Sequence, residues 1–313
     1  MATSFWIETA GKCALRETRL DALAPGDVRI KARYSGISRG TERLIWSARV
    51  PPSEYERMKA PFQDGAFPFP VKYGYCAVGR IVEGSGAGTR VFALHPHQDV
   101  FDVPEAAAIA IPDAVPDDAA PLAAHLETAI NALWDFPVRV GDRVAVIGLG
   151  AVGTCVAKLA ARVPGVDLVC VDPSPGARAR LPGFRFVEAA SERDLVFHAS
   201  GTPRGLAAAI DAAGFEATVV ELSWYGDGAV PVPLGGAFHA KRLTLAASQV
   251  GSVATARRAT RTHRQRLELA LSLLADPAMR LDLGAPIRFA DLPKRYDEAL
   301  NSHPSPLPLV AYN

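Results

Sequence analysis

Gly148-Leu149-Gly150-Ala151-Val152-Gly153 forms a G-x-G-x-x-G directly after the apolar run Arg143-Val144-Ala145-Val146-Ile147 and at the start of an Ala-rich stretch. That spacing has a chemical purpose. The first glycine permits a tight turn, the second lets a diphosphate approach the backbone, and the third lets helix and strand pack closely. The phosphates then meet the positive end of the helix dipole. Asp172 closes the next apolar run, at the distance where an acidic residue accepts both ribose hydroxyls and repels a 2′-phosphate. NAD(H) is therefore preferred, while Ser174, Arg178 and Arg180 nearby leave NADP(H) open. The plainer alternative is a glycine-rich turn without a ligand.

The elements that must position this turn follow from periodicity. Residues 27–34 alternate apolar and polar behind Pro25-Gly26, the pattern of a strand with one buried face. Short apolar runs at 76–82 and 89–94 between Gly and Pro clusters extend this into a small curved β-domain. Val50 to Pro70, rich in Pro and aromatics, reads as a long loop. From about residue 126, strand-like runs alternate with helical stretches, the βαβ signature of a parallel sheet buried on both faces. The fold class is therefore α/β, with a β-domain at residues 1–125 and 252–313 and a doubly wound nucleotide-binding domain at 126–251.

Composition narrows the function. The 313 residues are 49% hydrophobic and carry a formal charge of only +1, so no global field draws the chain to nucleic acid or anionic lipid. Cys13, Cys76, Cys155 and Cys170 are scattered without C-x-x-C spacing, which suggests reduced thiols and no four-thiolate zinc lobe. Neither a signal peptide nor an apolar stretch of about 18 residues is visible, and the expected location is the cytoplasm.

Three further segments resemble the medium-chain dehydrogenase/reductase superfamily. Gly36-Ile37-Ser38-Arg39-Gly40-Thr41-Glu42 is similar to its G-I-C-R-T-D, residues 71–82 to its G-H-E-x-x-G-x-V strand, and residues 126–133 to the helix entering its nucleotide domain. The resemblance implies a chaperonin-10-like β-domain followed by a Rossmann domain, with substrate between them and dimers through the nucleotide domain. It also implies that Thr128 and Val152 pack on the nicotinamide, that Arg39 approaches the pyrophosphate, and that Ser248-Gln249-Val250-Gly251 faces the carboxamide. His198, just before Ser200 and Gly201, falls near the adenosine ribose, and Ser200 joins the expected cofactor contacts.

The departures from that family matter as much. Ser38, Tyr75 and Ala124 stand where the three catalytic zinc ligands would be, so no metal is expected. His95 and His97 read as surface imidazoles on a loop rather than a rebuilt zinc site. Without a Lewis acid, a side chain must exchange the proton as hydride moves. Tyr75 is the leading candidate, followed by Thr41, aligned with a hydroxyl relay despite Gly40, and His125, before the cofactor helix. Each also has a structural reading, as packed aromatic, loop hydroxyl or helix cap. Together with Gly74-Tyr75, residues 35–42 resemble the zinc-free branch that includes bacteriochlorophyllide a hydroxyethyl dehydrogenase. That implies a secondary alcohol or ketone on a sizeable substrate, with Trp46, Trp224 and Tyr225 as candidate walls. A quinone or enone reductase and a non-catalytic NAD(H)-binding protein are the alternatives. Arg257, Arg258, Arg261, Arg264 and Arg266 read as a solvated helix start, or else as a funnel for an anionic substrate.

Overall fold

The computed structural model describes residues 1–312. The chain divides into two compact units, Met1–Ala124 with Leu267–Asn313, and His125–Arg266. In chain order the first unit opens with β1 (Ala2–Thr9), β2 (Lys12–Thr18), β3 (Asp27–Gly36) and α1 (Arg39–Trp46). Next come β4 (Asp64–Gly65), β5 (Val71–Lys72), β6 (Ala77–Glu83), β7 (Arg90–Ala93), β8 (Val100–Pro104) and β9 (Ile109–Ala110). Helix α2 (Ala123–Asp135) leads into the second unit. There follow β10 (Arg143–Ile147), α3 (Ala151–Ala160), β11 (Asp167–Val171), α4 (Pro175–Arg180), β12 (Arg193–His198), α5 (Pro203–Ala212), β13 (Ala213–Glu221) and β14 (Thr244–Ala247). Helix α6 (His263–Leu273) carries the chain back to β15 (Ile287–Arg288), α7 (Leu292–Asn301) and β16 (Leu309–Ala311).

In the first unit, β3 buries Val28, Ile30 and Ala32 while Lys31 and Arg33 are exposed, as its alternation requires. One sheet runs β15-β16-β3-β6-β7-β9, with β8 also on β3, and the other β2-β1-β5-β4. Phe5, Trp46 and Tyr296 meet in the core, with rings 4.6 and 5.2 Å apart. Trp46 thereby belongs to the interior of this unit rather than to a substrate wall, and its indole N–H donates to Asp297 at 3.0 Å.

In the second unit the strands are all parallel, in the order β11-β10-β12-β13-β14. Val144, Ala145, Val146 and Ile147 of β10 are all buried, because helices cover both faces of a doubly wound sheet. Ala209, Ile210 and Ala212 of α5 pack on Val196 and Val219. Residues 252–266 cluster with this unit. Two contacts tie them to α2: the Arg266 guanidinium reaches Glu127 and Asn131, and the Ala254 N–H donates to Asn131. No helix among the described residues is long and apolar enough to cross a membrane.

Candidate functional site

The turn after β10 has the shape its glycines permit. Gly148 sits at φ +90°, and a Cβ there would lie 2.4 Å from the Cα of Ser200. A Cβ on Gly153 would lie 1.9 Å from the carbonyl oxygen of Gly148, so only glycine lets α3 pack this close to the turn. A Cβ on Gly150 would have no neighbouring atom within 4 Å. The backbone there is open, and no side chain caps α3. The first amides of α3, at Ala151, Val152 and Gly153, have no carbonyl within their own helix. Open backbone at the positive end of a helix fits a diphosphate.

Asp172 follows β11 and bonds the same turn. Its Oδ2 accepts the Leu149 N–H at 2.6 Å and its Oδ1 accepts the Ser174 N–H at 2.8 Å. Each oxygen retains a further lone pair for a ribose hydroxyl. Arg180 donates to the Leu149 carbonyl at 3.2 Å, and Arg178 stacks over Phe186.

A second polar group lies at the ends of β12 and β13. His198 is paired in register with Glu221, and its Nδ1 donates to that carboxylate at 2.8 Å. Its Nε2 is 2.6 Å from the Ser200 hydroxyl. Glu221 also accepts from the Ser223 amide at 2.7 Å and the Tyr225 hydroxyl at 3.0 Å. Burial would raise this carboxyl, but the hydrogen bond and charge of His198 and the Ser223 amide outweigh it, holding Glu221 below the usual range. Tyr225 is pushed the other way, by burial first and Glu221 second. Thr128 is partly exposed on α2, whereas His125 near its start is buried. The Gln249 side chain accepts the Gly251 N–H at 2.7 Å, bracing its own turn.

In the first unit, Tyr75 donates to the Ser38 hydroxyl and lies 3.3 Å from the Thr41 hydroxyl. The structure thus brings Tyr75 and Thr41 together, with Ser38 as the third oxygen. Burial pushes the Tyr75 phenol up, with a further push from Cys76, and its two hydroxyl partners pull back only part of the shift. Ser38 precedes α1, and its N–H donates to Glu42 Oε1 at 2.7 Å. Glu42 Oε2 accepts the Tyr296 hydroxyl at 2.7 Å and His97 Nε2 at 3.1 Å. In the tautomer that satisfies every partner, His97 Nδ1 accepts the Ser35 hydroxyl at 2.7 Å, and Ser35 accepts from Tyr312 at 2.9 Å.

His97 is therefore no surface imidazole, and neither is His95. Their exposures are 1% and 4%. His95 stacks on Phe101 at 3.7 Å, with Phe62 beyond. Gly74, at φ +130°, has room for nothing larger, since a Cβ would come 3.0 Å from the His97 ring. Arg39 lies against carbonyls at the end of α7, donating to Leu300 at 3.0 Å, His303 at 3.1 Å, and Ser305 and Asn301 at 3.3 Å.

No family model matches the chain. It is 27% identical over 219 residues to 2-desacetyl-2-hydroxyethyl bacteriochlorophyllide A dehydrogenase of Cereibacter sphaeroides, covering 61% of this chain and 64% of that protein. The enzyme of the same name from Rhodobacter capsulatus is 27% identical over 205 residues, covering 57% and 60%. The matched region spans less than two thirds of the length of either relative. Among solved structures, L-idonate 5-dehydrogenase of Escherichia coli superposes with a TM-score of 0.79 at 14% identity, over 99% of this chain and 98% of that one. 2R,3R-butanediol dehydrogenase of Bacillus subtilis gives 0.76 at 16% identity, over the whole of both chains. A protein described as a short chain alcohol dehydrogenase of Escherichia coli, complexed with NADH, gives 0.73 at 17% identity, over 99% of each.

The chain has the fold of these dehydrogenases. Ser38, Tyr75 and Ala124, the residues expected in place of zinc ligands, offer no imidazole or thiolate. Among the described residues no three His, Cys, Asp or Glu side chains group as a metal site. The buried Glu42–His97 pair beneath Ser38 had no signal in spacing, since 55 residues separate its members.

Proposed function

We propose that this protein is a zinc-independent oxidoreductase of the medium-chain type that transfers a hydride between NAD(H) and a secondary alcohol or ketone on a sizeable small molecule. The observation that carries the reading is the glycine turn at 148–153, open at Gly150 and backed by Asp172. A nicotinamide dinucleotide supplies hydride exchange at the ring C4. On this reading Gly148, Gly150, Ala151 and Gly153 hold the diphosphate, and Asp172 takes the adenosine ribose. Thr128, Val152 and Gln249 take the nicotinamide half, and Ser200 is a further cofactor contact. Arg39, which ties α1 to the end of α7, is proposed to approach the pyrophosphate.

Proton exchange falls to Tyr75. A phenol with a raised pKa stays protonated at neutral pH and donates a hydrogen bond to a carbonyl oxygen. As that oxygen gains negative charge it takes the phenolic proton, being more basic as an alkoxide than a phenolate. Ser38 and Thr41 then turn their hydroxyls to stabilise Tyr75. Alcohol oxidation runs through the same groups in reverse, with His125 the alternate proton carrier. The 27% identity to dehydrogenases named for a hydroxyethyl bacteriochlorophyllide supports a substituted, bulky substrate. The protein is proposed to work in the cytoplasm as a homodimer, without nucleic acid or membrane as partners.

Fluorescence titration with NADH, followed by spectrophotometric assay against panels of secondary alcohols, ketones, quinones and enones, tests the reading. Saturable NADH binding and turnover confined to alcohols and ketones would support it. Turnover of quinones or enones alone, loss of turnover on removal of a stoichiometric metal, or absence of NADH binding would each overturn it.

A further inference from the structure

Arg266 closes the basic stretch after residue 256, yet it is 1% exposed while Arg257, Arg258, Arg261 and Arg264 face solvent. Its guanidinium reaches four acceptors. Nε donates to Glu127 Oε1 at 2.9 Å, and Nη2 donates to the Val250 carbonyl at 2.6 Å. Nη1 serves both the Asn131 side chain and, at 3.3 Å, the Ser252 carbonyl. Glu127, Asn131 and Asp135 are four residues apart on α2 and so share one face. That face holds the segment after β14 at alternate residues. Asp135 accepts the Ser248 hydroxyl at 2.7 Å, Arg266 holds Val250 and Ser252, and Asn131 accepts the Ala254 N–H at 3.0 Å. Gln249 and Gly251 stay exposed between these points.

Sheet order says what this segment is for. Asp172 follows β11 at one edge, and the diphosphate cradle follows the neighbouring β10. Ligands of open α/β sheets lie at the carboxyl ends of the strands, which are about 4.8 Å apart. A dinucleotide with its adenosine end at β11 and its phosphates at β10 extends over β12 and β13 toward β14, the strand that Ser248–Gly251 follows. A buried ion pair is a weak source of stability in itself. What this pair fixes is the backbone of a loop that no sheet ladder holds.

We propose that Arg266, anchored by Glu127 and Asn131, is a positioning residue that fixes Ser248–Gly251 in the shape that receives the nicotinamide carboxamide. This rests on the dinucleotide reading above. Calorimetric titration of the full-length protein with NADH and with ADP-ribose, which lacks the nicotinamide, tests it in Arg266→Lys and Glu127→Gln. Both variants are checked for native circular dichroism, and Glu127→Gln serves alone if the lysine variant fails to fold. The expected result is NADH affinity weakened about tenfold, the equivalent of one lost charge-assisted network contact, with ADP-ribose affinity unchanged within about twofold. Equal weakening of both ligands would overturn the proposal by showing a general structural role. Unchanged NADH affinity, or wild-type protein that binds ADP-ribose as tightly as NADH, would overturn it as well. Wild-type protein that binds neither would instead refute the dinucleotide reading, and this proposal with it.

Discussion

Nε2 of His97 lies 3.1 Å from Oε2 of Glu42, and both side chains are shut off from solvent, at 1% and 0% exposure. The pair sits directly behind the hydroxyl cluster, because Glu42 also receives the backbone N–H of Ser38. Removing one partner of a buried polar pair leaves the other without compensation and opens a cavity as well. His97→Ala is therefore expected to lower unfolding stability by about 2–4 kcal/mol. Urea denaturation followed by tryptophan fluorescence measures it. A loss below about 0.5 kcal/mol, the size of a surface change, would contradict the buried role.

Tyr75→Phe separates the proposed proton-transfer role from packing. The ring and its contacts with Tyr73 survive, and only the hydroxyl that meets Ser38 and Thr41 is lost. Stability should change by no more than about 1.5 kcal/mol, the net worth of a hydrogen bond, while kcat falls by about 10²–10⁴ as a general acid is removed. NADH affinity should stay the same. Steady-state kinetics with a parallel NADH titration decide it, and a kcat within threefold of wild type would reassign the proton.

The parts legible in the sequence are those written locally. The glycine spacing, the apolar run before it and the Ala-rich stretch after it place β10 and α3 within a few residues, since turn, strand and helix each leave a short-range pattern. Tyr75 and Thr41 were linked only by resemblance, and the structure makes them neighbours through Ser38. Distant pairings leave no such mark. Tyr296 reaches Glu42 across 254 residues, and Arg266 reaches Glu127 across 139. A basic run looks solvated when read as charge alone. Only the fold shows that a polar face of α2 awaits its last member. His95 and His97 misled for the same reason, because strand partners and stacked rings bury them where the local sequence resembles an exposed loop.

Asp172 braces the glycine turn and, on the proposed dinucleotide reading, sets the choice of cofactor. Asp172→Ser removes the carboxylate that would repel a 2′-phosphate, together with the short bond to the Leu149 amide. NADH affinity should fall about 10–100-fold, the cost of losing charge-assisted hydrogen bonds. NADPH affinity should hold or rise, moving the NADH/NADPH ratio by at least tenfold. Paired titrations read both constants, and an unchanged ratio would remove Asp172 from the ribose site.

His95 makes acid destabilise the first unit. Burial, with smaller pushes from Lys72 and His97, lowers its pKa from 6.5 to about 3, against a partial pull upward from the Pro96 carbonyl. The unfolded imidazole takes up a proton near pH 6.5 whereas the folded one resists down to about 3, so acid in that window favours the unfolded chain. The stabilisation is complete above pH 6.5 and is lost progressively as the pH falls toward 3, at about 1.4 kcal/mol per pH unit. His95→Phe keeps a flat ring against Phe101 and Phe62 and deletes the titration. Every other group is common to the two proteins, so the difference between the two urea-midpoint profiles isolates His95. The wild-type profile should fall more steeply between pH 6 and 4, and the curves should run parallel above pH 7. Parallel curves throughout would mean that the folded His95 accepts its proton as readily as the unfolded one.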